Sequence, residues 1–585
     1  MGRRRRRVRG DRDRPDRAGG PGADGRGAGG LLPPPPDVTG AGANPFAEAT
    51  VGALVDAAAA RWPAREALVA EEERLTYAAF AERSRWLACG LAALGIRPGD
   101  RVALWLPTRP AWFVAQVACA RLGAVVVALN PRYRSHELGT LLARSGAVAL
   151  LLTDRLGAVD FLDTLARVVP ALHHAVPGEP VAAHLPRLRH VIVDAEDPVP
   201  GCHRLRDVID LGRAAPPPAV PGPAPDDLFT LLYTSGTTAG PKGAMISHRN
   251  CVPHAWHSGE RLRLTPEDRV LHTLPAAGTW GGVNIPLATW SHGACLVLVE
   301  PFDPLRALWL IERERCTVWN TVDQMVRAVL DHPALDRTDR RSLRTGGFAA
   351  TGGGGHGLFE ALVERVGLRQ AFQPYGMTEI NAMALAHDLD EPLARRALPG
   401  GWPAPGLEVR LVHPERGTPC AVGEEGELQF RGPLVTRGYD GAPEETARAF
   451  TPDGWFRSGD LGVRDETGQL VFRGRLREVL RISHHMVAPA EIEQFLMTHP
   501  AVDQAFVVGV PDAATGEAAV AYVILRPGAQ LTEAELQAWC RGRIAAFKIP
   551  RAVRFVSDVP RAAGPHGDKV QRGRLRERAL EELGR

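Results

Sequence analysis

The sequence predicts an α/β protein, with a large layered α/β N-terminal domain followed by a small α+β C-terminal domain. Three observations predict it. From about Asn44, helical stretches such as Tyr77 to Leu94 alternate with short apolar runs such as Arg101 to Leu106 and Ala124 to Leu129, the rhythm of a sheet covered by helices. At 585 residues the chain exceeds what one hydrophobic core serves, so a second folding unit is expected. Past about Gly474 the pattern turns compact: a helix from Ala490, strands near Gln504 to Val510 and Val520 to Leu525, and a helix opened by Thr532. Thr532 with Glu535 three residues later fits a capping box.

The start of the chain stands apart. Residues 1 to 36 hold ten Arg and four Asp, a surplus of six against a chain total of +3, so the remainder nets −3. The run Arg3 to Arg7, the Gly-rich stretch after it and Pro33 to Pro36 cannot bury enough apolar surface to fold. A disordered basic tail is therefore expected over 1–43. The body is not basic, and no nucleic-acid partner is expected from it. Eight cysteines without a Cys-x-x-Cys pair, and no apolar signal-peptide core near the start, point to a reducing cytoplasm. The longest apolar candidate, Trp112 to Leu129, is broken by Arg121 and Gly123. It reads as a buried helix followed by a core strand, so no transmembrane segment is expected. Cys251, His254 and His257 recur at three-residue spacing, which without a fourth ligand reads as helix surface and pocket lining.

The breaker-rich stretch Pro216 to Pro225 precedes Leu228 to Tyr233, a predicted buried strand that enters a polar loop. That loop runs Tyr233-Thr234-Ser235-Gly236-Thr237-Thr238-Ala239-Gly240-Pro241-Lys242-Gly243. Its glycines let backbone approach an anion, four hydroxyls can satisfy phosphate oxygens, and Lys242 supplies charge, which together make a polyphosphate site. It is not a Walker loop, because proline precedes the lysine and glycine follows it. Further on, Gly352-Gly353-Gly354-Gly355-His356-Gly357 matches Gly-x-Gly-x-x-Gly, but no acidic residue or βαβ context supports a dinucleotide there.

Tyr375-Gly376-Met377-Thr378-Glu379, Gly454-Trp455-Phe456-Arg457-Ser458-Gly459-Asp460 and Gly474-Arg475-Leu476-Arg477 follow in that order. Together with the loop they resemble the adenylate-forming superfamily: acyl-CoA synthetases, firefly luciferases and peptide-synthetase adenylation domains. The resemblance runs from about Val51 to Leu575. Asn130 to Arg134, and Gly426-Glu427-Leu428 through Arg431-Gly432, look like its fatty-acyl and aryl-CoA ligase branch.

This resemblance implies an adenylation domain over 44–475 and a mobile C-terminal domain over 476–585, with a hinge at Arg477. It implies ATP-dependent activation of a carboxylic acid to acyl-AMP and pyrophosphate, then thioester formation with CoA. An acyl carrier protein or an amine is the other acceptor, and a catalytically impaired nucleotide- or acyl-binding protein is the further alternative that the altered loops leave open. Thr234, Ser235, Gly236, Thr237, Thr238 and Lys242 would hold the β- and γ-phosphates, and Thr378 would donate to the α-phosphate. Glu379 would hold Mg²⁺, a hard cation that favours carboxylate and phosphate oxygens. Tyr375 would pack on adenine, Asp460 would accept from the ribose hydroxyls, and Arg475 would reach ribose or phosphate. Lys569, in Val559-Pro560 through Gly567-Asp568-Lys569, would bridge the acid and the α-phosphate. The chain departs from the family at Ser483-His484, where two glycines are common. It departs again at Ala277-Gly278, where an aromatic-His pair is usual, at the exchanged Ala239 and Gly240, and at Asp568, inserted before Lys569.

Overall fold

The computed structural model describes residues 43–71, 73–217, 222–234, 241–350, 357–482, 485–512, 515–541, 543–564 and 567–583. The expected basic tail and the stretch Gly352 to His356 lie outside the described residues, apart from the tail's last position.

Two seven-stranded sheets carry the large unit. One runs in the order Lys242–Ser247, Leu228–Thr234, Val125–Ala128, Arg101–Trp105, Ala149–Thr153, His190–Asp194, His203–Arg204. The other runs Gln370–Phe372, Thr345–Ala349, Val318–Val322, Arg269–His272, Cys295–Leu298, Glu66–Ala70, Glu73–Thr76. Alternate residues of a strand face opposite sides, and here both sides are covered. Val102 and Leu104 join a core shared with helices Tyr77–Ala93, Pro110–Leu122 and His248–Arg261, whereas Ala103 and Trp105 join a second core under helices Ser135–Ser145 and Phe161–Val168. Leu68 and Val270 of the other sheet share the first core, while Val69 and Leu271 pack with helix Pro304–Glu314. The layers therefore run helix, sheet, helix, sheet, helix. Where helix Tyr77–Ala93 crosses Leu205–Ala214, a Cβ on Gly212 would stand 1.8 Å from the Trp86 carbonyl oxygen, so only glycine admits that approach.

A third sheet of six strands, Leu385–Ala386, Gly400–Pro403, Leu470–Arg475, Phe456–Arg464, Glu425–Arg431 and Glu408–Val412, follows the layered part. The next strand, Leu480–Ile482, belongs to a different, five-stranded sheet with His485–Val487, Gly516–Leu525, Val502–Asp512 and Ala552–Phe555. The change of sheet falls at the short turn Leu476–Glu478, beside the proposed hinge. In the small sheet Val507 packs with helices Pro489–Leu496 and Glu533–Cys540, while Phe506 and Val508 pack with Arg572–Glu582. Thr532 caps its helix with Glu535 in the expected reciprocal box. Helix Pro110–Leu122 and strand Val125–Ala128 stand where the apolar stretch was read, and no helix among the described residues is long and apolar enough to cross a membrane.

Candidate functional site

The strand Leu228–Thr234 is buried because Leu-Phe-Thr-Leu-Leu-Tyr-Thr carries few polar side chains, and it pairs parallel to Val125–Ala128 and antiparallel to Lys242–Ser247. The loop that joins this hairpin, Ser235 to Gly240, lies outside the described residues. Its two ends are in place: Thr234 faces Lys242 across the hairpin, and the Thr234 hydroxyl lies 3.5 Å from the Lys242 carbonyl. A strand, not a helix, follows Lys242, so this is indeed no Walker loop.

The five-residue motif at Tyr375 folds as a clasp. Tyr375 and Leu385 exchange backbone hydrogen bonds of 2.9 and 3.0 Å, closing the segment between them, and a Cβ on Gly376 would stand 2.6 Å from the Ala382 backbone. Thr378–Ile380 forms a single turn with the Thr378 side chain partly exposed and Glu379 buried. Asn381, Ala382 and Met383 then adopt positive φ in succession, at 56°, 56° and 30°. Such residues cost on the order of 1–3 kcal/mol each and persist only where neighbours hold them. Three neighbours do so here. The Asn381 side chain donates to the Leu434 carbonyl at 2.8 Å, Thr436 N–H donates to the Glu379 carbonyl at 2.7 Å, and His254 Nε2 meets the Ala382 carbonyl at 2.9 Å. His254 is 2% exposed, and burial pushes its pKa down to about 4, so its Nε2 carries a hydrogen as the neutral tautomer.

Asp460 faces this clasp from strand Phe456–Arg464, directly opposite Arg475 in the neighbouring strand. It is 1% exposed. Its Oδ2 accepts from the Tyr375 hydroxyl at 2.7 Å. Its Oδ1 lies 2.8 Å from Arg475 Nη1, yet outside hydrogen-bond alignment, leaving a buried acceptor with no donor among the described residues. Burial raises the Asp460 carboxyl to about 6. Arg475 and the Tyr375 hydroxyl pull against that shift, and Glu379 and Glu478 add to it. Tyr375 itself is buried against Phe430 and Phe472, with ring centroids 6.0 and 5.2 Å away.

Glu379 sits within electrostatic reach of Asp460 and Arg475. Its Oε1 accepts from the Tyr439 hydroxyl at 2.8 Å, and its other oxygen accepts no bond among the described residues. A half-committed carboxylate whose partner Tyr439 also faces Lys242 suits a hard divalent cation that takes its remaining ligands from phosphate and water.

The geometry thus gathers Thr234, Lys242, Tyr375, Thr378, Glu379, Asp460 and Arg475 at one edge of the large unit. Ser235, Gly236, Thr237 and Thr238 lie outside the described residues, as do Ser483 and His484. Lys569 stands elsewhere, on the hairpin Arg561–Gly564 and Gly567–Val570, paired with Ala562, and its side chain is not described. Asp568 is its strand neighbour and pairs with Ala563. Ala277 and Gly278 precede the turn Thr279–Asn284, whose Trp280 reaches within 2.9 Å of where a Gly347 Cβ would be. Two contacts at the candidate site escaped the sequence reading: that of Tyr439 with Glu379 and that of His254 with Ala382. The only local signal for Tyr439 is the preceding Gly438, at φ 122°, where the Thr446 side chain leaves no room for a Cβ.

The family model for the AMP-binding enzymes matches residues 55–440, and that for the AMP-binding enzyme C-terminal domain matches 491–564. The Bacillus subtilis protein YngI, assigned as an acyl-CoA synthetase, is 36% identical over 538 residues, covering 91% of this chain and 97% of its own length. The bovine mitochondrial medium-chain acyl-CoA ligase ACSF2 is 34% identical, covering 91% of this chain and 88% of its own. The crystal structure of the anthranilate CoA ligase AuaEII with anthranoyl-AMP superposes with a TM-score of 0.80 at 25% identity, covering 92% of this chain and 98% of its own.

Proposed function

The chain belongs to the adenylate-forming family of AMP-binding enzymes, and from that premise we propose that it joins a fatty or aryl carboxylic acid to coenzyme A through an acyl-adenylate. The observation that carries this reading is the buried Oδ1 of Asp460, which is ion-paired with Arg475 yet accepts no hydrogen bond among the described residues. It is an acceptor fit for a ribose hydroxyl, set in one site with Glu379 and the Lys242 loop.

In the first step a carboxylate oxygen of the acid attacks the α-phosphorus of ATP. The bond to the bridging oxygen breaks, pyrophosphate leaves, and acyl-AMP remains. Two anions meet in that step, so donors must be fixed before it occurs. Lys242 holds the β- and γ-phosphates with Thr234, Ser235, Gly236, Thr237 and Thr238, and Thr378 donates to the α-phosphate. Tyr375 packs at the adenine and holds Asp460, which accepts from the ribose, while Arg475 balances the carboxylate charge. Lys569 bridges acid and α-phosphate from the second domain. Glu379 would hold a magnesium ion, which would supply the charge neutralisation a polyphosphate needs.

In the second step the sulfur of CoA attacks the adenylate carbonyl carbon and its thiol proton passes to solvent. The carbon–oxygen bond to phosphate breaks, and AMP leaves. Residues 44–475 form the adenylation domain and 476–585 the mobile domain, after the tail 1–43. All eight cysteines are free thiols, in keeping with a cytoplasmic setting.

The test is pyrophosphate release across a panel of acids, with and without CoA, read with product mass. Thioester formation is the expected result. Pyrophosphate exchange without CoA turnover would move the acceptor to a carrier-protein thiol or an amine. ATP binding with neither activity would overturn the reading.

A further inference from the structure

The segment after strand Glu425–Arg431 returns to the phosphate-loop hairpin as an added edge. Met245 N–H donates to the Gly438 carbonyl at 3.0 Å, Asp440 N–H donates to the Gly243 carbonyl at 2.8 Å, and Ala244 bridges Tyr439. Tyr439 is fixed further by its own N–H donating to the Thr446 hydroxyl at 2.9 Å, and Thr446 donates in turn to the Ala442 carbonyl at 2.9 Å. Its side chain is therefore placed by backbone on both flanks. Two groups meet that side chain. The hydroxyl donates to Glu379 Oε1 at 2.8 Å, and the ring face lies 5.3 Å from the Lys242 ammonium.

We propose that Tyr439 is a positioning residue that couples the phosphate-binding Lys242 to the metal-binding Glu379. The idea rests on the adenylation reading above and adds a part to it. Through the hydroxyl, one carboxylate oxygen is held, which would leave the other free to take a cation. Through the ring, the lysine has a cation–π platform that keeps its ammonium near the same phosphates. Partners of metal ligands set their orientation, and losing one typically weakens metal affinity about 10- to 100-fold.

The test measures ATP affinity by calorimetry on the full chain, once with excess magnesium chloride and once in EDTA. Tyr439→Phe keeps the ring and removes the hydroxyl. It is expected to lose about tenfold of the tightening that magnesium confers, with affinity in EDTA unchanged within about twofold. Tyr439→Leu removes the ring as well, and is expected to weaken binding in EDTA by a further ~3-fold, the weaker end of a cation–π contact. A wild-type magnesium response in Tyr439→Phe, or an equal loss with and without magnesium, overturns the proposal. So does a Tyr439→Leu variant that binds in EDTA as tightly as Tyr439→Phe. Failure of the underlying reading looks different: the unaltered chain would then bind ATP without any magnesium response and release no pyrophosphate with any acid.

Discussion

The Tyr375–Leu385 clasp and the small C-terminal unit are built on opposite principles. In the clasp the candidate site residues are tied to distant segments: Glu379 by Thr436 on its backbone and Tyr439 on its carboxylate, Asp460 by Tyr375 and Arg475, and the Ala382 carbonyl by His254. Its left-handed run shows that strain is tolerated there in exchange for fixed geometry. The C-terminal unit has its own cores, and its internal tie is a buried one: Arg572 pairs with the fully buried Glu493 and reaches Glu478 at 3.1 Å. Across to the large unit it offers the part-exposed pair Arg327 and Asp503, at 3.0 Å. Under the reading proposed above, a nucleotide site fixed in advance and a lysine carried on a separately stabilised unit would separate binding from the chemical step. Because Glu478 is tied to Arg572, the hinge proposed at Arg477 would lie on the large unit's side of that contact.

The sharpest way to break this comparison is Lys569→Ala. If the lysine acts only in the chemical step, adenylation falls about 10²- to 10³-fold, the scale for losing one transition-state donor, while AMP affinity stays within about twofold. Unchanged pyrophosphate exchange would refute its assignment, and a matching loss of AMP affinity would refute the division of labour. Next in size is Asp460→Asn, which replaces a charged acceptor in the fixed half. Hydrogen bonds to charged groups contribute about 1.5–3 kcal/mol, so adenosine binding should weaken by roughly 10- to 100-fold.

Asp460 also makes the fixed half pH-sensitive. Burial raises its carboxyl from 3.8 to about 6, so the proton enters as pH falls through about 6 and the acceptor is lost below it. Adenosine carries no titrating phosphate, and its affinity is expected to drop on the acid side of about pH 6 in the unaltered chain but not in Asp460→Asn. The sign for stability is the reverse: the folded state holds this proton more tightly, so Asp460 costs stability as pH rises through that window. Tyr375→Phe should act more gently. Its hydroxyl pulls the Asp460 carboxyl down, so its loss moves the midpoint above 6 and weakens adenosine binding about threefold. A midpoint that moves down would show that the hydroxyl does not stabilise the charged carboxylate.

Local features were legible in the sequence and long-range ones were not. The strand Leu228–Thr234, the helix at Tyr77 and the Thr532 capping box depend on near neighbours, and each stands where periodicity and cap chemistry put it. The phosphate-type composition of Thr234 to Gly243 and the ordered motif around Asp460 could be read from the sequence as proposals about the site. Tyr439 could not, since its role arises when a distant segment adds to the edge of Lys242–Ser247. Positive φ at Ala382 was equally hidden. Nothing about alanine favours it, and the cause lies in Gly376 and in His254 on another helix.

Arg327→Ala is the smallest expected effect and bears on the joint between the two halves. Both partners are about 30% exposed, and pairs of that kind contribute about 0–1 kcal/mol because water screens them and ordering two long side chains offsets the attraction. Adenylation and thioester formation should therefore both stay within about twofold, with the melting temperature barely moved. If the pair instead holds the small unit in one of two working positions, the two half-reactions will shift in opposite directions. Single-turnover rates for each step decide this: a rise in one matched by a fall in the other would make Arg327 and Asp503 a latch, and parallel or absent changes leave them an ordinary surface pair.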